Sequence, residues 1–177
     1  MIRAIREGNT HMKSRSSPTF RLAQGAAIAA LYVVLTLVFA PISFGAMQIR
    51  VSEILTILPL FTPAAIPGLF VGCLLANLLG GAVVLDVIFG SLATLIGAAL
   101  GYILRFNRWL VPIPAILANT VIVPLVLRHG YGVDMPLYLM AIYVAAGEII
   151  GCYILGALFA TILLRYKGRI FGGNAKS

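Results

Sequence analysis

Charged residues divide this chain into long uncharged runs. No charge occurs between Arg21 and Arg50, between Glu53 and Asp86, or between Asp86 and Arg105. The same holds between Arg108 and Arg128, and from Asp134 to Glu148 and on to Arg165. A helix that crosses the hydrocarbon of a bilayer needs about 20 apolar residues. The first run predicts one span over 21–40, closed by Pro41. The second is cut by Pro59, Pro63, Pro67 and Gly68, so it predicts two shorter helices, 50–61 and 66–80. Further spans follow at 86–104, 110–127 and 136–164, the last long enough to tilt or project. The expected fold is an all-α membrane protein with a six-helix bundle over 21–165. It is flanked by a tail at 1–20 and a basic tail at 166–177.

Composition agrees with this pattern. Of 177 residues, 61% are hydrophobic and only 10% are charged. A soluble domain carries roughly 25% charged residues, which it needs to cover its surface. Residues 1–20 are polar and basic, with no apolar core leading to a cleavage site, unlike a signal peptide. The stretch before Met12 has no apolar period and reads as a leader or an upstream start.

The net charge of +8 describes orientation. Arg3, Arg6, Lys13, Arg15 and Arg21 precede the first span, Arg105 and Arg108 lie between spans four and five, and Arg165, Lys167, Arg169 and Lys176 follow span six. Six spans put these clusters on one side and leave only Arg50 and Arg128 on the other. The positive-inside rule then makes both termini cytoplasmic. Basic residues so placed meet anionic lipid and need no nucleic acid.

Four of the five acids fall elsewhere. Glu53, Asp86, Asp134 and Glu148, with Gln48, Arg50, Asn77, Asn119, Arg128 and His129, map to the outer half of the bundle or just beyond it. An ionisable group in hydrocarbon is expensive unless paired or hydrated, which makes it a functional candidate. The competing reading is that these groups only pair with one another, with Arg50 and Glu53 at i, i+3 as the nearest pair. Their convergence at one end favours a polar pocket. Carboxylates suit a ligand rich in N–H donors, and amides match a donor and an acceptor together. Phe44, in an outer loop with Gly45, and Tyr143 are candidate stacking partners. Trp109 reads as an interfacial anchor.

Ala23, Ala26, Ala27 and Ala30 form a small-residue stripe on the first span, beside Gly25 and Ala29. Such a stripe lets another helix approach closely, within the bundle or from a partner. Gly147 and Gly151 with Gly156 and Ala157 make a similar string on span six. Cys73 and Cys152 lie in apolar runs and read as small core residues, not as a disulfide or metal pair. The chain carries no G-x-x-x-x-G-K-[ST], H-E-x-x-H, C-x-x-C or nucleophile elbow. This argues against an enzyme, and no cofactor or metal is expected.

Three segments carry a resemblance. The run AQGAAIAALYVVLTLVFAPISFGAMQIRVSEILTILPLF, then IPGLFVGCLLANLLGG, then DVIFGSLATLIGA, resembles the QueT family across about residues 20–165. These are substrate-binding (S) components of energy-coupling factor (ECF) transporters. The resemblance implies a multi-pass protein of the bacterial cytoplasmic membrane that captures a queuosine precursor, a 7-deazaguanine such as queuine. It implies as partners a transmembrane coupling protein and two cytoplasmic ATPases, and delivery by toppling in the membrane. The alanine stripe would meet the coupling protein. Alternatives are an S component for another vitamin and a stand-alone proton-coupled transporter.

Overall fold

The computed structural model describes residues 17–43 and 50–170. Among them are six principal helices and no strand. Helix α1 is Pro18–Val38. It starts three residues before the expected 21, because Ser17 and Pro18 form a start signal: the Ser17 side chain accepts from the Phe20 amide, and proline suits the first helical position. One further turn, Ala40–Ser43, follows. Helix α2 is Val51–Leu60, a 3₁₀-helix. Helix α3 is Ala65–Leu79, with Pro67 tolerated in its first turn.

Helix α4 is Asp86–Ile103; it opens with a π-helical turn, Asp86–Gly90. Helix α5 is Ile113–His129, shifted by two to three residues from the expected 110–127. Helix α6 is Leu137–Tyr166, of 30 residues, within which Ile149–Leu155 is π-helical. Helices α1, α4 and α6 are long and apolar enough to cross a membrane; α2, α3 and α5 are shorter apolar helices. At 1.5 Å per residue, 21 residues of α1 extend roughly 31 Å, about the thickness of the hydrocarbon.

Helix α2 runs through the centre. Seven of its ten residues are buried, from Ser52 to Pro59. A 3₁₀-helix rises about 2.0 Å per residue, so its ten residues reach roughly 20 Å instead of 15 Å. Around it a core of Ile28, Tyr32, Leu55, Leu58, Leu69 and Leu163 joins α1, α2, α3 and α6. A second cluster, Val123, Leu127, Met140 and Val144, joins α5 to α6.

Close approach sets the α1–α3 contact. A Cβ at Gly72 would lie 2.7 Å from Cβ of Tyr32 and 3.1 Å from Cα of Ala29. Gly25 and Ala29 of α1 are buried there, so this part of the small-residue pattern packs inside the bundle. Outward faces are strongly apolar, with Leu22 75% and Val38 65% exposed on α1. Water would penalise such faces, whereas lipid is their natural solvent.

Candidate substrate site

Helix α2 supplies the centre of the polar constellation. With three residues per turn, positions i and i+3 eclipse, so Arg50 at the N-cap and Glu53 in the first turn share a face. The Glu53 amide donates to the Arg50 carbonyl at 3.1 Å. Their side chains nevertheless go to different partners. The Arg50 guanidinium reaches Asp86 on α4, with Nη2 3.0 Å from Oδ2 and 3.2 Å from Oδ1. The i, i+3 spacing had pointed to Glu53 as the near partner; packing of α4 against α2 provides Asp86 instead. Both members of the ion pair are buried, Arg50 6% and Asp86 0% exposed.

Two more residues complete this group. Tyr131, in the connection between α5 and α6, donates its hydroxyl to Asp86 Oδ2 at 3.0 Å. Burial, then the Asp86 charge, raises the Tyr131 phenol to about 12. It therefore stays protonated, and donating, throughout the physiological range. Asn77 on α3 donates Nδ2 to the Asp86 backbone carbonyl at 3.1 Å. This fixes which way the amide points, since the reverse orientation would set two oxygens against each other. Asn77 Oδ1 is then buried without a hydrogen-bond partner. A buried, unmatched acceptor costs about 1–3 kcal/mol and marks a place where a donor belongs.

Backbone geometry makes room here. A Cβ at Gly90 would lie 2.6 Å from Asp86 Oδ1 and 3.3 Å from Asn77 Nδ2. The π-helical turn that ends at Gly90 thus tucks the Asp86 carboxylate against its own helix. Cys73 completes the wall, its sulfur 3.7 Å from Arg50 Nη1 and 3.7 Å from Asn77 Nδ2.

The second group surrounds Glu53. Tyr32 of α1 donates to Glu53 Oε1 at 2.6 Å. On α6, Glu148 accepts from Asn119 Nδ2 of α5 at 2.9 Å and from the Cys152 thiol at 3.0 Å. That sulfur is also 3.8 Å from Glu53 Oε2, so Cys152 stands between the two carboxylates. A Cβ at Gly151 would come 3.6 Å from Glu53 Cβ, which shows how closely α6 lies on α2. Both π-helical stretches border this constellation, one at Asp86 and one between Glu148 and Gly156. Such bulges recur where a helix must re-aim a functional side chain.

Glu53, Glu148 and Cys152 place three ligand-type atoms within 4.8 Å of one another. The Cys152 sulfur is already engaged with Glu148, and the carboxylates already accept from Tyr32 and Asn119. This arrangement suits shared protons or a donor-rich ligand better than a thiolate metal centre.

The structure therefore brings together Arg50, Glu53, Asn77, Asp86, Asn119 and Glu148 of the expected set. It does not bring in Tyr143, which is 41% exposed on the outside of α6. Gln48 and Phe44 lie outside the described residues. Arg128, His129 and Asp134 are exposed. Sequence reasoning missed Tyr32 and Tyr131 and read both cysteines as packing residues. The i, i+4 relation of Glu148 to Cys152 was the one available hint. Trp109 is half-exposed, with Arg108 4.8 Å above its ring, as an interfacial anchor would be.

A different surface carries the alanine stripe. Ala23, Ala26, Ala27 and Ala30 all face outward from α1. Ala23 and Ala27 line an apolar groove of about 400 Å³ shared with Phe159 and Leu163 of α6.

Comparison with known proteins gives a consistent result. A family model described as QueT transporter matches residues 22–165. A curated relative, the queuosine precursor transporter QueT of Lactococcus lactis subsp. cremoris (strain MG1363), is 39% identical over 97 residues. That alignment covers 54% of this chain and 56% of the relative, about half of each. No solved structure matches. With a match over most of the chain and three helices able to span a bilayer, this multi-pass protein of the bacterial plasma membrane belongs to the QueT transporter family.

Proposed function

We propose that the chain is the substrate-capturing subunit of an ECF-type importer, and that its ligand is a queuosine precursor of the 7-deazaguanine type. The observation that carries this reading is the buried Asn77 Oδ1, an acceptor without a donor, beside the Arg50–Asp86 pair. A guanine-like ring has a ring N–H and an exocyclic amine side by side, and a carbonyl next to them. Asp86 and Glu53 would accept the N–H groups, Asn77 would take a further donor, and Arg50 would meet the carbonyl. Asn119 and Glu148 would hold the deeper end, where a second carboxylate also suits a cationic substituent.

In this reading both termini are cytoplasmic and the Arg50–Asp86 end faces outward, a placement that the distribution of basic residues supports. Energy comes from two partner ATPases through a transmembrane coupling protein. That protein docks on the outward stripe of Ala23, Ala26, Ala27 and Ala30, and the subunit topples to deliver its ligand. Calorimetry on the purified protein tests the ligand assignment. Queuine or an earlier precursor should bind, and riboflavin should not. Heat from riboflavin alone would reassign the subunit to another vitamin.

The second reading is a stand-alone proton-coupled carrier. The proximity of Glu53 and Glu148 favours it, while the pairing of Asp86 with Arg50 removes one acid from any relay. Vesicles without ATPases separate the two: uptake driven by a pH gradient supports the carrier, and its absence supports the subunit.

A further inference from the structure

Tyr131 differs from the groups around it. Arg50, Asn77 and Asp86 are buried, whereas Tyr131 is 38% exposed while its hydroxyl reaches Asp86. It is thus the member of this group that faces the surroundings. Of the side chains that donate to the Asp86 carboxylate, Arg50 is charged and deeply placed, and Tyr131 is neutral. Withdrawing the guanidinium would leave a buried charge unpaired. Withdrawing the phenol gives up one hydrogen bond to the carboxylate and leaves the Arg50–Asp86 pair in place.

The backbone around Tyr131 is held in place, so such a withdrawal is a rotation of its side chain. Below Tyr131 the chain is anchored: the amides of Gly130 and Tyr131 both donate to the Val126 carbonyl, at 2.7 and 3.3 Å. A Cβ at Gly130 would lie 2.9 Å from Val83 Cγ2, so this residue is pressed on the segment leading into α4. Above Tyr131, Gly132 has φ +66° and open space where a Cβ would be. Beyond Gly132 the Val133 amide donates to the Leu127 carbonyl at 3.1 Å, so the backbone is held on both sides of Tyr131 and a withdrawal turns the side chain alone.

Resting on the transport reading above, we infer that Tyr131 is a ligand-site residue. Its hydroxyl holds the Asp86 oxygen that a ligand N–H takes, and it gives way when the ligand arrives. The displaced ring then covers the flat face of the base, as aromatic rings do for planar heterocycles. Asn77 Oδ1 lies in the same group and offers the ligand a second acceptor. Binding would thus replace one donor on Asp86 and add a donor where none is present. A ligand with two adjacent N–H donors gains most from this exchange, and one with a single donor gains only what Tyr131 already gives. Tyr131 would in this way select for the guanine-type edge.

Tyr131→Phe and Tyr131→Ala test this by calorimetry and stopped-flow binding with queuine, beside the wild type. Tyr131→Phe removes the competing hydroxyl and keeps the ring, so it should bind roughly five-fold tighter, the scale of one exchanged hydrogen bond, with faster association. Tyr131→Ala loses the ring as well and should dissociate faster than Tyr131→Phe. Unchanged or weaker binding by a Tyr131→Phe protein with wild-type melting behaviour overturns the inference and leaves the transport reading standing. Failure of the wild type to bind any 7-deazaguanine overturns both.

Discussion

Asp86 and Arg50 stand 36 positions apart and meet, buried, where α2 and α4 begin. A buried charge that loses its partner costs about 3–5 kcal/mol. Asp86→Asn should therefore lower the melting temperature in detergent markedly, besides impairing binding; an unchanged melt would mean the pair is hydrated and not a buried bridge. Glu53→Gln is milder, because Tyr32 can still donate to the remaining oxygen. Its effect belongs to the ligand, and affinity should fall by at least ~1.5 kcal/mol, the scale of a lost charge-assisted bond. Unchanged affinity would remove Glu53 from the site. Polar residues such as Asn77, Asp86 and Glu148 were legible because they stand out in apolar runs. Tyr32, Tyr131 and the cysteines were not, since these residues are ordinary in membrane helices and at their ends. Only tertiary contacts give them a role. The Arg50 partner was misjudged because sequence proximity on a helix ignores which helix packs opposite.

At the level of elements, span positions followed from charge-free runs and proline punctuation, and most helix ends fall within three residues of those expectations. Helix type did not follow. The 3₁₀ form of α2 and the π-helical stretches in α4 and α6 depend on the packing of buried polar groups, which leaves no periodic signal. The small-residue pattern on α1 was also only half legible: it gave the stripe, and the structure divides it between two faces. Gly25 and Ala29 meet α3, and the four alanines face out. The internal half predicts that Gly72→Ala is destabilising by about 1–3 kcal/mol, because the added methyl meets backbone and Cβ atoms of α1 that cannot swing aside. Thermal unfolding in detergent measures this, and a neutral result would mean that α1 and α3 are free to separate.

For the whole molecule, a polar centre and an apolar exterior divide the work. The centre would recognise the ligand, and the outward face of α1 would recognise a partner. Substitutions on that face should separate the two activities. Ala27→Leu should leave ligand affinity and melting unchanged, yet lower ATP-driven uptake roughly tenfold, the effect of ~1.4 kcal/mol lost at a close-packed helix contact. Equal uptake by this variant would place the coupling surface elsewhere. The ligand position itself is the central claim, and a structure determined with bound queuine tests it most directly. The account predicts the base within hydrogen-bonding distance of Asp86, Asn77 and Glu53. A base seated instead in the apolar groove between α1 and α6, beside Ala27 and Leu163, with the polar network intact, would contradict it.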